Sequence, residues 1–167
     1  HQQGEKLDGT PLRGKPFLLE PFHKFIIYNL LGFKLKGTDV VRFHEALIFI
    51  PRKNIKTSFA ASLAWALSLW YRRSGSKTYI SAAALMQSLE SFNFLDYNIR
   101  LMGEDEKHGG GVKIIDNNNE HSMEAELPDG SFFIRALAAN PDAQDSLNCN
   151  IAICDEIHAF TKPKQYN

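Results

Sequence analysis

The sequence is short of several features that mark broad protein classes. It has no net charge, since Lys plus Arg equals Asp plus Glu at 19 each in 167 residues. No overall field therefore draws it to nucleic acid or to an acidic membrane, although a local basic face would be averaged away in that sum. No apolar stretch reaches membrane-spanning length without a charge, and the opening HQQGEKLDGT lacks the pattern of a signal peptide. Only two cysteines are present, Cys149 and Cys154. Five residues apart, with Cys154 in an apolar run, they suit two reduced thiols better than a disulfide or a zinc site. No internal repeat or low-complexity tract is visible. The expectation is a soluble cytoplasmic protein, and the length fits one domain over 1–167 with a sizeable core.

What is there is an alternation of helical and strand-like patterns. The first fifteen residues are polar and read as a lead-in arm. PFLLEPFHKFIIYNLLGFK spaces its apolar residues for a helix, with Pro21 suited to the first turn. ALIFI, closed by Pro51, reads as a strand buried on both faces. A helix is expected over about Thr57 to Arg73, ended by Ser74-Gly75, with Trp65 and Trp70 in the core. KTYISAAA is a second buried strand and LMQSLESFNFLDYNIRLMG a second long helix. EDEKHGGG reads as a flexible connection, after which strand-like runs alternate with turns at Asn117–Asn119 and Pro128-Asp129-Gly130. NIAICDEIHAF is a third buried strand ending in two acids. The plan is α/β, a mainly parallel sheet flanked by helices with an added antiparallel β meander.

In such sheets ligands gather at the carboxyl ends of strands. Two of these ends carry charge in a specific order. PRKNIKTS follows the first strand: Lys56 would reach the β- and γ-phosphates of a nucleotide, and Thr57 would coordinate magnesium at the start of a helix. IAICDE ends the last strand: Asp155 would hold the magnesium and Glu156 would polarise the attacking water. The missing residue type is glycine. Such loops carry two, and here Ile50 and Ile55 stand at those places. A β-branched residue resists positive φ, so the loop is expected to bind nucleotide weakly, with side chains of Arg52 and Lys53 offsetting the loss, and Ile55→Gly is expected to tighten binding.

LEPFHKFIIYNLLGFK, FIPRKNIKTSFAASLAWAL, YISAAALMQSLESF and IAICDEIHAF together resemble the ATPase domain of the terminase large subunit of tailed bacteriophages, from about Leu18 to Phe160. The resemblance implies a P-loop NTPase-type fold that uses ATP and Mg. It matches Lys56 and Thr57 to the phosphate lysine and magnesium hydroxyl, Asp155 to the magnesium acid and Glu156 to the catalytic glutamate. Arg52 matches a loop arginine that contacts nucleotide or senses its γ-phosphate, giving it a catalytic role beside Glu156. Lys53, Asn54 and Ser58 complete the nucleotide-binding set of the loop. Phe22 and His23 match an adenine-recognition segment, with His23 in the place of the usual glutamine. Arg100 and Arg135 are candidates to act on a neighbour's nucleotide. The implied partners are double-stranded DNA, the portal protein, the small terminase subunit and further copies in a ring, with no membrane, in the cytoplasm of a bacterial host. The family's nuclease domain and the coupling segment after the acid pair have no counterpart in the sequence, which reads as a fragment of the motor. A helicase-like ATPase and a non-catalytic assembly module with a degenerate loop are the alternatives. His158, in DEIH, is read as an ordinary residue of a first helical turn.

Overall fold

The computed structural model describes residues 8–51, 54–138 and 147–160. The chain forms two compact units, one running to Lys56 and the other starting at Thr57.

The first unit is built on helix α1, Pro21–Gly32. Pro21 occupies the first helical turn, where its missing N–H costs nothing. His23 caps the helix, its Nδ1 accepting the Glu20 N–H at 3.1 Å. Beyond α1 the chain doubles back on itself. Arg42 N–H donates to Phe33 O and Leu35 N–H to Val40 O, around Gly37 at φ 79°. The run 46–50, expected as a buried strand, forms no strand: Leu47 is 82% exposed and Phe49 97%. A strand needs a neighbour to satisfy its N–H and C=O groups, and among the described residues of its own unit none pairs with it.

The second unit holds a five-stranded sheet in the order β2-β3-β4-β1-β5. Here α2 is Lys56–Trp70, β1 Ser76–Ala82, α3 Leu85–Met102, β2 Lys113–Asp116, β3 His121–Leu127, β4 Gly130–Ala138 and β5 Ile151–Asp155. β1 pairs in parallel with both β4 and β5, placing Ile80 beside Ala136 and Ile153. β2, β3 and β4 form the expected antiparallel meander, so β4 serves both halves of the sheet. The core lies on one face. Ala61 and Ala64 of α2 and Phe92, Leu95 and Ile99 of α3 pack with Ile80, Met123, Phe132 and Ile134. These α3 positions recur at three- and four-residue intervals, the spacing that puts them on one helical face. A buried aromatic or branched aliphatic side chain of this kind contributes about 1.5–3 kcal/mol. Gly103, at φ 73°, ends α3 with its N–H on the Arg100 and Ile99 carbonyls.

Three details depart from the sequence reading. β5 is an edge strand with Ala152 and Cys154 exposed, so it is buried on alternate residues only. Trp65 meets Phe132 edge-on at 5.1 Å, as a core residue should, but Trp70 is 63% exposed. The segment EDEKHGGG is a built turn: Asp105 is 2% exposed and hydrogen-bonded to His108 Nδ1 at 2.6 Å. Its carbonyl accepts from the N–H groups of His108 and Gly110, and a Cβ on Gly110 would collide with the Glu104 backbone. Both cysteines are free thiols at the surface, and partial loss of water to the protein around each sulfur raises its pKa from the ordinary value.

Candidate nucleotide-binding site

Within the second unit, two segments far apart in sequence meet at the carboxyl ends of the parallel strands. α2 enters this unit at Thr57, and β5 ends at Asp155. Thr57 Oγ1 donates to Asp155 Oδ2 at 3.1 Å, and Asp155 is buried. The other carboxylate oxygen, Oδ1, accepts the Glu156 N–H at 2.8 Å. Hydroxyl and carboxylate oxygens are the hard ligands that Mg uses, supplemented by phosphate oxygens and water. Among the described residues no group of three or more His, Cys, Asp or Glu is placed to hold a metal, so such an ion would depend on that mixed set.

Glu156 has φ 52° and ψ 43°, a left-handed conformation that a residue other than glycine adopts at a cost. Its surroundings fix it there. The N–H is held by Asp155, and the carbonyl accepts the Ala159 N–H at 2.8 Å as a 3₁₀ turn forms over Ile157–Ala159. His158 Nε2 lies 3.2 Å from Glu156 Oε2. In the sequence this contact is signalled by nothing more than the two-residue spacing of Glu and His after the strand.

The other expected residues are distributed as follows. Ser58 is in the first turn of α2, its carbonyl accepting from Ser62 Oγ at 2.8 Å. Asn54 Nδ2 donates to Pro51 O at 3.1 Å, a local bond that shapes its own loop. Ile55 has φ 57°, so the position where a glycine was missed does require a left-handed backbone. Arg52 and Lys53 lie outside the described residues. In the first unit Phe22 is half-buried, with its ring centroid 3.9 Å from that of His23. His23 is fully buried, and its Nδ1 serves the α1 cap. The guanidinium of Arg100 is held by Asp96 at 2.7 Å and lies 3.6 Å from Asp105, an intramolecular tie that competes with any role on a neighbour's nucleotide. Arg135 lies on β4, in register with Tyr79 and Ser122. Among the described residues, no helix is long and apolar enough to cross a membrane.

Comparison with known proteins gives two results that bear on this arrangement, while a search of curated proteins finds no match. The fold is similar to that of the large terminase ATPase domain of Thermus phage P74-26, with a TM-score of 0.53 at 18% identity. The alignment covers 86% of this chain and 61% of that one, so this chain spans about three-fifths of the solved domain's length. At that identity the likeness speaks for the fold. The sequence itself matches the family described as terminase large subunit, ATPase domain, over residues 21–167, which takes in α1, the Lys56-Thr57 helix start and the Asp155-Glu156 strand end. On that match the chain belongs to the terminase large subunit ATPase domain family.

Proposed function

We propose that the chain binds and hydrolyses ATP as the motor domain of a phage DNA-packaging machine. The observation that supports this most is the 3.1 Å hydrogen bond between Thr57 and Asp155, residues brought together from positions 98 apart. In this reading Lys56 takes the β- and γ-phosphates, with Arg52, Lys53, Asn54 and Ser58 completing the loop, and Phe22 and His23 lie along the base. Thr57 and Asp155 hold Mg, which when bound offsets phosphate charge. Glu156 accepts a proton from the water that attacks the γ-phosphorus. Because Nδ1 of His23 is already used by its own helix, base recognition rests on the face of Phe22 more than on that nitrogen.

In the assembled machine the same reading gives the domain double-stranded DNA as its track, with the portal protein, the small terminase subunit and other copies in a ring as partners. An isolated domain then turns over slowly, because a neighbour's arginine completes the site.

The test is thermal stabilisation by Mg-ATP. A ligand at one hundred times its dissociation constant raises stability by about 2.7 kcal/mol. The parent should show that response, Lys56→Ala should lose it, and Glu156→Gln should keep it while losing hydrolysis. A parent with no response sinks the nucleotide reading and leaves an assembly module that has kept only the fold.

A further inference from the structure

The neutral total charge hides an uneven distribution. Residues 57–167 hold nine Lys and Arg against fourteen Asp and Glu, whereas residues 21–44, α1 and the doubled-back segment after it, hold four against one. That one acid, Asp39, is paired with Lys34 at 2.7 Å. Lys24, Lys36 and Arg42 are exposed, and among the described residues no carboxylate pairs with them.

Aromatic rings lie among these cations. Tyr28 meets Phe33 edge-on with ring centroids 6.0 Å apart, Phe33 meets Phe43 at 6.4 Å, and the Arg42 guanidinium lies 5.6 Å over the Phe43 ring. The Arg42 N–H on Phe33 O holds the row together. Lys24 and Phe25, four and three residues before Tyr28, share its exposed side of α1, away from buried His23. Phe25 and Tyr28 are each 68% exposed, Phe33 43% and Phe43 44%. Single exposed apolar residues are ordinary, but contiguous rings edged by charge mark a contact surface.

We infer that this surface of the first unit binds single-stranded DNA, its rings stacking on unpaired bases while Lys24, Lys36 and Arg42 meet phosphates. Rings for bases beside cations for the backbone are the general means of holding a single strand without reading its sequence. A duplex keeps its bases stacked on one another, so it would use the cations alone. An amphipathic helix lying on lipid carries its cations and its apolar residues on separate faces. Here they are interleaved, with Arg42 on the Phe43 ring and Lys24 next to Phe25. The choice of DNA over RNA rests on the proposed function, which sets the chain to work on DNA; the surface itself uses none of the residues assigned there to ATP.

The test is fluorescence anisotropy, without ATP, on the whole chain with a labelled oligo(dT) of about 16 nucleotides. It should bind at least about five-fold tighter than a duplex of the same length, since only the strand offers free bases. Tyr28→Ala and Phe43→Ala should each weaken it by about five-fold or more at an unchanged salt dependence, and Tyr28→Trp should keep it. Lys36→Ala should instead flatten the salt dependence, by about 0.7 in the log–log slope. Tyr28 is exposed, so its variants should melt with the parent. Equal affinity for strand and duplex overturns the inference, as does Tyr28→Ala binding like the parent. So does tighter binding of an RNA strand of equal length, or binding to anionic lipid vesicles with the same dependence on Tyr28. A chain that binds the strand but gives no melting response to Mg-ATP loses the proposed function and keeps this surface. The reverse pair of results removes the surface alone.

Discussion

Thr57 Oγ1 donates to Asp155 Oδ2 at 3.1 Å, and in doing so joins the start of α2 to the end of the edge strand β5. The bond is partly buried, so removing the hydroxyl should cost about 0.5–1.5 kcal/mol of stability. The functional loss should be larger and of a different kind. In Thr57→Ala the part of ATP stabilisation that disappears on adding a chelator should be absent, while Thr57→Ser retains it. Melting with ATP, with and without Mg, decides this. A Thr57→Ala protein that keeps the full Mg-dependent gain removes the hydroxyl from the site.

The two tryptophans of α2 should behave differently. Trp65 packs edge-on against Phe132 beside the core, whereas Trp70 is largely in solvent. Trp→Ala in a core costs roughly 3–5 kcal/mol, and half-buried Trp65 belongs near the bottom of that range, about 3 kcal/mol. Trp70→Ala should stay within about 0.5 kcal/mol, as surface substitutions do. Denaturant unfolding of both variants checks the contrast, and equal losses would place Trp70 against something that protects it.

Much of this was legible in the sequence, for physical reasons that also explain the misses. α1, α2 and α3 announce themselves through spacing and through Pro21, Gly75 and Gly103, because those signals are local. The meander is legible through its turns, with Asn117 Oδ1 accepting from Asn119 and Glu120, and Gly130 at φ 140°. Strand status at 46–50 is not local: β propensity is present, but a strand exists only beside a partner. Charged composition likewise disguised Asp105 as a linker residue, since nothing near it signals that His108 and Arg100 would let it be buried. At the candidate site, the order Lys56-Thr57 and Asp155-Glu156 was readable. The left-handed backbone of Glu156 and its His158 contact were not, because both depend on how the strand end folds back.

Stability should fall in acid through identifiable carboxylates. Arg72 grips Asp129 with two bonds, Nε to Oδ1 at 2.9 Å and Nη2 to Oδ2 at 2.7 Å. The hydrogen bond from Arg72 outweighs partial burial and holds the Asp129 carboxyl below its ordinary range. For Asp105 burial pushes upward, but the His108 hydrogen bond and the His108 and Arg100 charges pull it below the ordinary value. A carboxyl lowered by folding adds stability that is complete above its unfolded pKa, about 3.9, and is lost as pH falls through the lower folded value. Melting temperature should therefore drop increasingly steeply below about pH 4. Asp129→Asn should flatten part of that drop and leave the share due to Asp105. An acid limb unchanged in Asp129→Asn would mean the Arg72 pair does not persist in solution.

Ile55 carries the last prediction. At φ 57° it adopts the geometry for which such loops use glycine, and its side chain, 40% exposed, gains only partial burial in return. A left-handed L-residue costs about 1–2 kcal/mol. Glycine would return that, less about 0.4–1 kcal/mol for the added freedom of the unfolded chain. Ile55→Gly should thus stabilise the protein by up to about 1 kcal/mol, or roughly 2–4 °C. The expectation from sequence was tighter nucleotide binding instead. That would follow if the loop entered the left-handed region only with ligand present. If the loop keeps this geometry with and without nucleotide, the cost falls on folding and cancels from the binding equilibrium. Calorimetry and melting on the same variant separate the two cases. A higher melting temperature at unchanged ATP affinity fits a loop already set for phosphate. An affinity gain of ten-fold or more without a melting shift would show that nucleotide itself drives Ile55 into that conformation.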